Sequence, residues 1–489
     1  MLFNSHIFIL LFLPLLLAGW YFLNWKKKFQ LAQGYLIGMS LWFYAYANLQ
    51  YLWLLLFSCL IGWLLSCLPE KLPSEKGKKA LIGIGCVFHL GLLGYFKYSN
   101  FFLENLNTVF HTDFPMLQIL LPIGISFYTF QQLAYLIDRC RGDAPGDSFF
   151  DYLTFMVYFP QLLQGPILLR SEFMGQLKES ERRRFHAERF SEGIQFFVFG
   201  LAKKVLLADT LAKAVNYGYS NVSMLDSISA LLLAAGYLTE LYFDFSGYCD
   251  MAVGLGKMIG LEVAENFDAP FHSASVKEFW RRWHMTLGRF FTRYVYIPLG
   301  GNRKGKMRTL CNVMIVMLLS GLWHGAAWTF VLWGFLHGVG MIWDNLEHPH
   351  LPKKWMRQAV TFAYVCMTFV FFRAESIAQG FDVLKSIVSL KWNGFVFQMA
   401  SALDLTEFYM ITKALSMKLP GLLSWFWFGI FVVLIATCVR VLSGKKVSGV
   451  VALQKQKGYG RLYPVLLAVL FTWSMISMTG VSEYLYFSF

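Results

Sequence analysis

The sequence predicts an all-α polytopic membrane protein, with roughly 11–12 transmembrane helices supplemented by re-entrant and amphipathic in-plane helices. Three observations carry this. The chain is 57% hydrophobic and 15% charged, which leaves too little polar side chain to clothe a water-facing surface. Its apolar runs repeatedly approach the roughly 20 residues needed to cross a bilayer as helix. Its Lys and Arg collect in short loops between those runs, as in cytoplasmic loops. The formal net charge of +14 therefore speaks about topology. A nucleic-acid partner would need a basic water-facing domain, and no such domain is visible. The eight cysteines are scattered, mostly in apolar runs and without a CxxC pair, so they read as small core residues rather than disulfides or metal ligands.

The opening stretch MLFNSHIFILLFLPLLLAGWYFLNW has neither a charged n-region nor a small-residue cleavage site, and reads as a retained helix and not a removed signal peptide. WKKKF at 25–29 and EKLPSEKGKK at 70–79 stand about two spans apart, which places both in the cytoplasm and the N-terminus outside. A span near 80–97 exits, and LPIGISFYTFQQLAYLID returns to the basic RCRGD.

The next segment, FFDYLTFMVYFPQLLQGPILL at 149–169, is long enough to cross once. Yet it lies between RCRGD and the strongly basic RSEF…KESERRRFHAER, both cytoplasmic by charge. Pro160, Gly165 and Pro166 would also interrupt a helix. A re-entrant or in-plane element resolves both facts, and broken backbone at membrane depth has to be buried in protein or line a cavity. The alternative is two short spans. Later crossings fall near 190–207, 228–248, 309–328, 329–345, 357–372, 423–440 and 462–480, with basic loops at HPHLPKKWMR and GKKVSG…QKQKGYGR and the C-terminus outside. The mixed polarity of 374–421 suits interfacial helices. The organisation expected is one membrane domain over 1–489: N-terminal helices 1–148, a core at 149–345, and C-terminal helices 346–489.

Within the core, VKEFWRRWHMTLGRFFTRYVYIPLGGNRKGK places Trp280, Trp283, Leu287, Phe291 and Tyr294 at steps of three and four, an apolar helical stripe. Lys277, Arg281, Arg282, Arg289 and Arg293 fall largely to another side, and Pro298 with LGG ends the helix. His284 sits on or beside the stripe and points inward. The arginines suit either the phosphates of a coenzyme A or phosphopantetheine donor or anionic lipid headgroups.

Downstream, GLWHGAAWTFVLWGFLHG forms a helical hairpin or a broken helix. At about 100° per residue, His324 and His337 point to different sides of any straight helix, so they do not pair on one face. Glycine and alanine beside His324 leave room for a close approach. Zinc spacings, a G-x-S-x-G elbow, a P-loop and a suitably placed GxGxxG are all missing from the sequence. What is left for an intramembrane imidazole is proton handling, for instance general-base assistance to an alcohol attacking a thioester, or a structural hydrogen bond. Glu240, Asp244 and Asp250 lie near a membrane segment. They either orient a histidine or form salt bridges with Arg281, Arg282 or Arg289.

These stretches together resemble the membrane-bound O-acyltransferases, and most closely their bacterial alginate O-acetyltransferase branch. The resemblance rests on LPIGISFYTFQQLAYLIDRCRG, YFPQLLQGPI, LYFDFSGYCDMAVGLGKMIGL, NFDAPF, EFWRRWHMTLGRFFTRYVYIPLGGNRKGK and GLWHGAAWTFVLWGFLHG, in order over roughly 1–345, and on the terminal EYLYFSF. It implies a ring of helices around a thin centre pierced by a funnel or tunnel. It also implies transfer of an acyl group, most often acetyl, from a cytoplasmic thioester such as acetyl-coenzyme A to a hydroxyl across the membrane. No bound cofactor or metal is implied.

Residue by residue, the resemblance makes His324 the catalytic histidine and His284 a second functional one, with His337 supporting. Weaker donor- or substrate-binding candidates are Arg281, Arg282, Trp283, Arg289, Asn302, Arg303, Lys304 and Trp323. Asp244, Asp250 and Gln164 are supporting candidates. The implied partners are membrane lipid, a polysaccharide acceptor and an extracytoplasmic acetyl-transferring protein. Location in a bacterial inner membrane is implied too. Two departures stand out. Thr292 and Arg293 stand where alginate-type members commonly have Arg and Asp, and Cys249 stands where Ser is usual; both bear on the acceptor. D-alanyl transfer to teichoic acid and peptidoglycan O-acetylation are alternatives within the family. A transporter or a non-catalytic export scaffold are alternatives outside it.

Overall fold

The computed structural model describes residues 1–47, 49–346, 353–403, 405, 409–458, 460, 462–478 and 484–485. The loop HPHLP at 348–352 and most of EYLYFSF at 483–489 lie outside them. The described elements are all helices. Among the described residues, seven helices are long and apolar enough to cross a membrane: Phe8–Trp25, Leu49–Lys71, Glu75–Phe110, Ser227–Ile259, Lys306–His324, Lys354–Arg373 and Gly421–Leu442. Trp328–Trp343 and Leu462–Ser477 are shorter apolar helices. Two further expected crossings form the helices Ile125–Arg141 and Ala187–Ala202, of 17 and 16 residues. The first buries Gln131, Gln132, Asp138 and Arg139. A helix walled by protein can hold such groups where one facing lipid could not.

Burial separates two kinds of spanning helix. The apolar window of Ser227–Ile259 is 78% buried, against 22% for Glu75–Phe110 and for Gly421–Leu442. The latter pair turn Val87 and Val433 outward, as lipid-facing helices do. Ser227–Ile259, at 33 residues, is about 50 Å long, well beyond the roughly 30 Å of hydrocarbon.

The chain folds into two compact units interleaved in sequence. The first comprises Met1–Val198, Tyr248–Glu265 and Arg289–Pro298; the second comprises Phe199–Gly247, Asn266–Gly288 and Leu299–Phe489.

In the first unit, 149–169 is broken as its prolines and glycine require. Ser148 caps a helix Phe149–Val157 through its hydroxyl. A four-residue helix Phe159–Leu162 follows, and then extended chain. Nine residues rise about 13 Å, too little to cross. Residues 154–168 are buried throughout, and Gly124 (φ 80°) packs against the Leu162 carbonyl, where a Cβ would lie 2.5 Å from the oxygen. This unit also carries a dense set of ion pairs. Arg293 reaches Asp138 and Asp143, each at 2.9 Å, and Tyr294 donates to Asp138. Arg170 forks onto Asp147, and Arg139 holds Glu70 and two backbone carbonyls. The positive charge at Arg293 thus finds its carboxylate partners about 150 residues upstream.

In the second unit, Lys306–His324 and Trp328–Trp343 form the hairpin. Its helices touch backbone to backbone: a Cβ on Gly321 would meet the Phe330 carbonyl at 2.3 Å, and one on Gly334 the Met317 carbonyl at 2.5 Å. Gly321 and Gly334 are therefore the small residues that let the hairpin close.

Candidate functional site

The site residues are set by a break in the amphipathic block. One continuous helix through Trp280 and Tyr294 does not form. Val276–Arg282 ends, and a second short helix starts at Met285 and runs to Phe291. His284 stands between them with φ 46°, a left-handed conformation that costs a non-glycine residue of order 1 kcal/mol. Such strain persists only where the surroundings over-determine it.

Here they do so through Asn266. Its side-chain oxygen accepts from the Thr286 N–H and hydroxyl, each at 3.0 Å, and lies 3.2 Å from His284 Nδ1. Its backbone carbonyl takes the Met285 N–H. Because Thr286 N–H can only donate, the atom facing His284 is an acceptor, and Nδ1 must carry the proton. The neutral ring then has its lone pair on Nε2. Burial drives the His284 pKa down to about 3, so the imidazole is neutral at physiological pH.

Rings enclose this histidine. Phe245 of Ser227–Ile259 meets it edge-on at 4.8 Å, and Trp323 lies at 6.2 Å. Trp323 in turn lies 4.9 Å from the ring of His324, the last residue of its helix. His284 and His324 therefore flank one indole, although forty positions of sequence separate them. Trp333 and Phe372 complete the wall around His324, each at 5.2 Å. His324 is 4% exposed.

His337 differs. The Trp280 indole N–H donates to its Nδ1 at 3.2 Å, and its Nε2 lies 2.9 Å from the Thr368 hydroxyl. Since Nδ1 accepts, Nε2 holds the proton and donates to Thr368, whose own hydrogen goes to the Val365 carbonyl at 2.8 Å. Both nitrogens are committed to one tautomer. His324 ends one helix and His337 lies within the next, and Trp333 bridges them, 5.2 Å from one and 4.8 Å from the other.

Trp283 is buried on Phe279 and Phe369, beside the histidines. Arg282 turns to Glu278 and the Asp268 carbonyl. Arg281, Asn302, Arg303 and Lys304 are exposed. Asp244 pairs with the buried Lys204 at 2.6 Å and accepts the Leu485 N–H; Lys204 also holds Asp209. Gln164, Asp250 and Arg289 belong to the first unit. There Arg289 forks onto Glu172 and reaches the Ile167 carbonyl, Gln164 is buried in the broken segment, and Asp250 is half-buried. Among the described residues, no group of three or more His, Cys, Asp or Glu side chains is placed to hold a metal ion.

Asn266, Trp333 and Thr368 carry no local signal of their contacts with the histidines, and Trp280 shows in sequence only as part of the apolar stripe. Asn266 lies inside NFDAPF, a stretch visible as a motif but silent about what it holds.

The family model described as MBOAT, membrane-bound O-acyltransferase family, matches residues 146–379, which include all three histidines. The chain is 36% identical over 423 residues to a peptidoglycan O-acetyltransferase of Helicobacter pylori, covering 80% of each chain. It is 39% identical over 393 residues to a probable alginate O-acetylase of Pseudomonas putida, covering 77% of this chain and 78% of that one. A teichoic acid D-alanyltransferase of Streptococcus thermophilus is 29% identical over 253 residues, 49% of this chain and 58% of its own.

Proposed function

The chain belongs to the membrane-bound O-acyltransferase family, and from that premise we propose that it acetylates hydroxyls of a cell-envelope or exported polysaccharide. The carrying observation is that His284 and His324 flank the single indole of Trp323. In this reading the whole chain is one catalytic domain of a bacterial cytoplasmic membrane, with its N-terminus outside. The donor is acetyl-coenzyme A or another acyl thioester from the cytoplasm. The exposed Arg281, Arg303 and Lys304 are available to the donor's phosphates.

The chemistry follows from two imidazoles beside one indole in a ring-walled, water-poor site. His324 takes the proton of the attacking hydroxyl as its oxygen bonds to the thioester carbonyl carbon. The tetrahedral species collapses, the carbon–sulfur bond breaks, and the thiolate leaves with the proton from His324, giving ester and thiol. Exclusion of water limits hydrolysis of the thioester. His284, its Nδ1–H fixed by Asn266, aims the Nε2 lone pair and so steers the thioester or shuttles the proton. His337 accepts the Trp280 N–H and holds that ring in place. An extracytoplasmic acetyl-transferring protein would serve as the relay to polymer.

His324→Ala should abolish ester-linked acetate on surface polymers while the protein inserts at normal levels; full acetylation in that variant would refute the assignment. The Helicobacter pylori relative, matching 80% of both chains, favours peptidoglycan as a second acceptor. Base-released acetate from purified peptidoglycan and from secreted polysaccharide, with and without the protein, separates the two. Ester-linked alanine in place of acetate would move the chain to the D-alanyl branch.

A further inference from the structure

Trp333 sits at the centre of the histidine cluster and is fully buried. Rings surround it: His324 at 5.2 Å, His337 at 4.8 Å, Phe372 at 5.0 Å, Phe369 at 5.5 Å and Trp280 at 5.6 Å. Its indole N–H has no hydrogen-bond partner among the described residues. The contrast with Trp280 is direct, since that neighbouring indole spends its N–H on His337. A buried donor left without an acceptor is costly, and proteins rarely retain one without a use. Here a purely apolar ring would fill the same space without that cost.

We propose that the Trp333 indole N–H, held beside His324, donates a hydrogen bond to the acyl carbonyl oxygen during transfer. This rests on the reading of His324 as the base. As the hydroxyl oxygen bonds to the carbonyl carbon and its proton passes to His324, the carbonyl π electrons move onto the oxygen. A fixed neutral donor in a water-poor site stabilises that charge without reorganising. The charge returns to form the ester carbonyl when the thiolate leaves. The neighbouring Trp280 N–H is committed to His337, so Trp333 supplies the unspent indole donor beside His324. His337, through Trp280, is then a positioning residue that shapes the wall around Trp333.

The test replaces the N–H and keeps the shape. Trp333→benzothienylalanine, introduced into the full-length chain, substitutes sulfur for N–H in an isosteric ring; Trp333→Phe is the genetically simpler companion. The readouts are the rate at which cells deposit ester-linked acyl groups, normalised to membrane-inserted protein, and the Tm of the purified protein. The isostere should slow deposition roughly a hundred-fold, as loss of one such donor does elsewhere, with Tm unchanged or raised. Wild-type rates in the isostere, with His324→Ala inactive, would overturn this inference and leave the proposed function standing. A lowered Tm with an unchanged rate would overturn it as well, by assigning the N–H to a ring face. Activity in His324→Ala would overturn both.

Discussion

The ion-pair region around Asp138 and the histidine cluster around Trp323 solve opposite problems with the same short stretch of sequence. Residues 289–298 belong to the first region and 266–288 to the second. In the first, charge meets charge: Arg293 bridges Asp138 and Asp143, and Arg289 grips Glu172. In the second, imidazoles are set by an amide oxygen, an indole N–H and a hydroxyl, and walled by aromatic rings. The difference teaches that a basic block need not be a basic site. Its arginines Arg282, Arg289 and Arg293 pair with carboxylates, while His284, lying among them in sequence, is held by an amide oxygen.

Asn266→Ala attacks that contrast most strongly. It removes the acceptor for His284 Nδ1–H and for two Thr286 donors, so the strained break at His284 loses what over-determines it. Stability should fall by about 3 kcal/mol. Activity of the folded fraction should drop roughly a hundred-fold, the usual cost of displacing a reacting group by about 1 Å. Asn266→Asp keeps the oxygen and should recover much of the rate. Equal rates in Asn266→Ala and wild type, measured as ester-linked acetate per folded molecule, would show that His284 is not a positioned group.

Arg289→Gln probes the other side. If Arg289 is an ion-pair residue, its loss removes a half-buried fork to Glu172 and costs about 1 kcal/mol, lowering Tm by a few degrees while the KM for acetyl-coenzyme A stays put. A raised KM at constant Tm would return Arg289 to the donor-binding residues expected from sequence.

Much of this was legible beforehand, for physical reasons. Membrane helices announce themselves by apolar length, and Pro160, Gly165 and Pro166 announce a break because they remove backbone donors and helical geometry locally. A hairpin or broken helix at GLWHGAAWTFVLWGFLHG was legible too, and it puts His324 and His337 on successive helices. What stayed hidden depends on distant partners. Periodicity predicts an unbroken helix through Trp280 and Tyr294, and nothing local warns that Asn266, eighteen residues earlier, holds His284 at φ 46°. Arg293 looks like a misplaced charge until Asp138 and Asp143 are seen beside it. Asp244 suggests pairing with Arg281, Arg282 or Arg289, yet its cation is Lys204, buried in the same unit.

The last effect concerns acid. His284 has a folded pKa of about 3, below the roughly 6.5 of an unfolded histidine. Between those values the unfolded chain binds a proton that the folded protein refuses, so stability must fall as pH drops below about 6.5 and level off near 3. One proton corresponds to at most about 1.4 kcal/mol per pH unit, or roughly 2 kcal/mol between pH 7 and 5. His284→Gln, which can still donate to Asn266 through its amide, removes this term. The gap between wild-type and variant Tm should therefore shift in the variant's favour on acidification from pH 7 to pH 5. A constant gap would mean that His284 takes its proton while folded. It would then be reachable by water, and the dry histidine cluster would be no more sheltered than the ion-pair region it is set against.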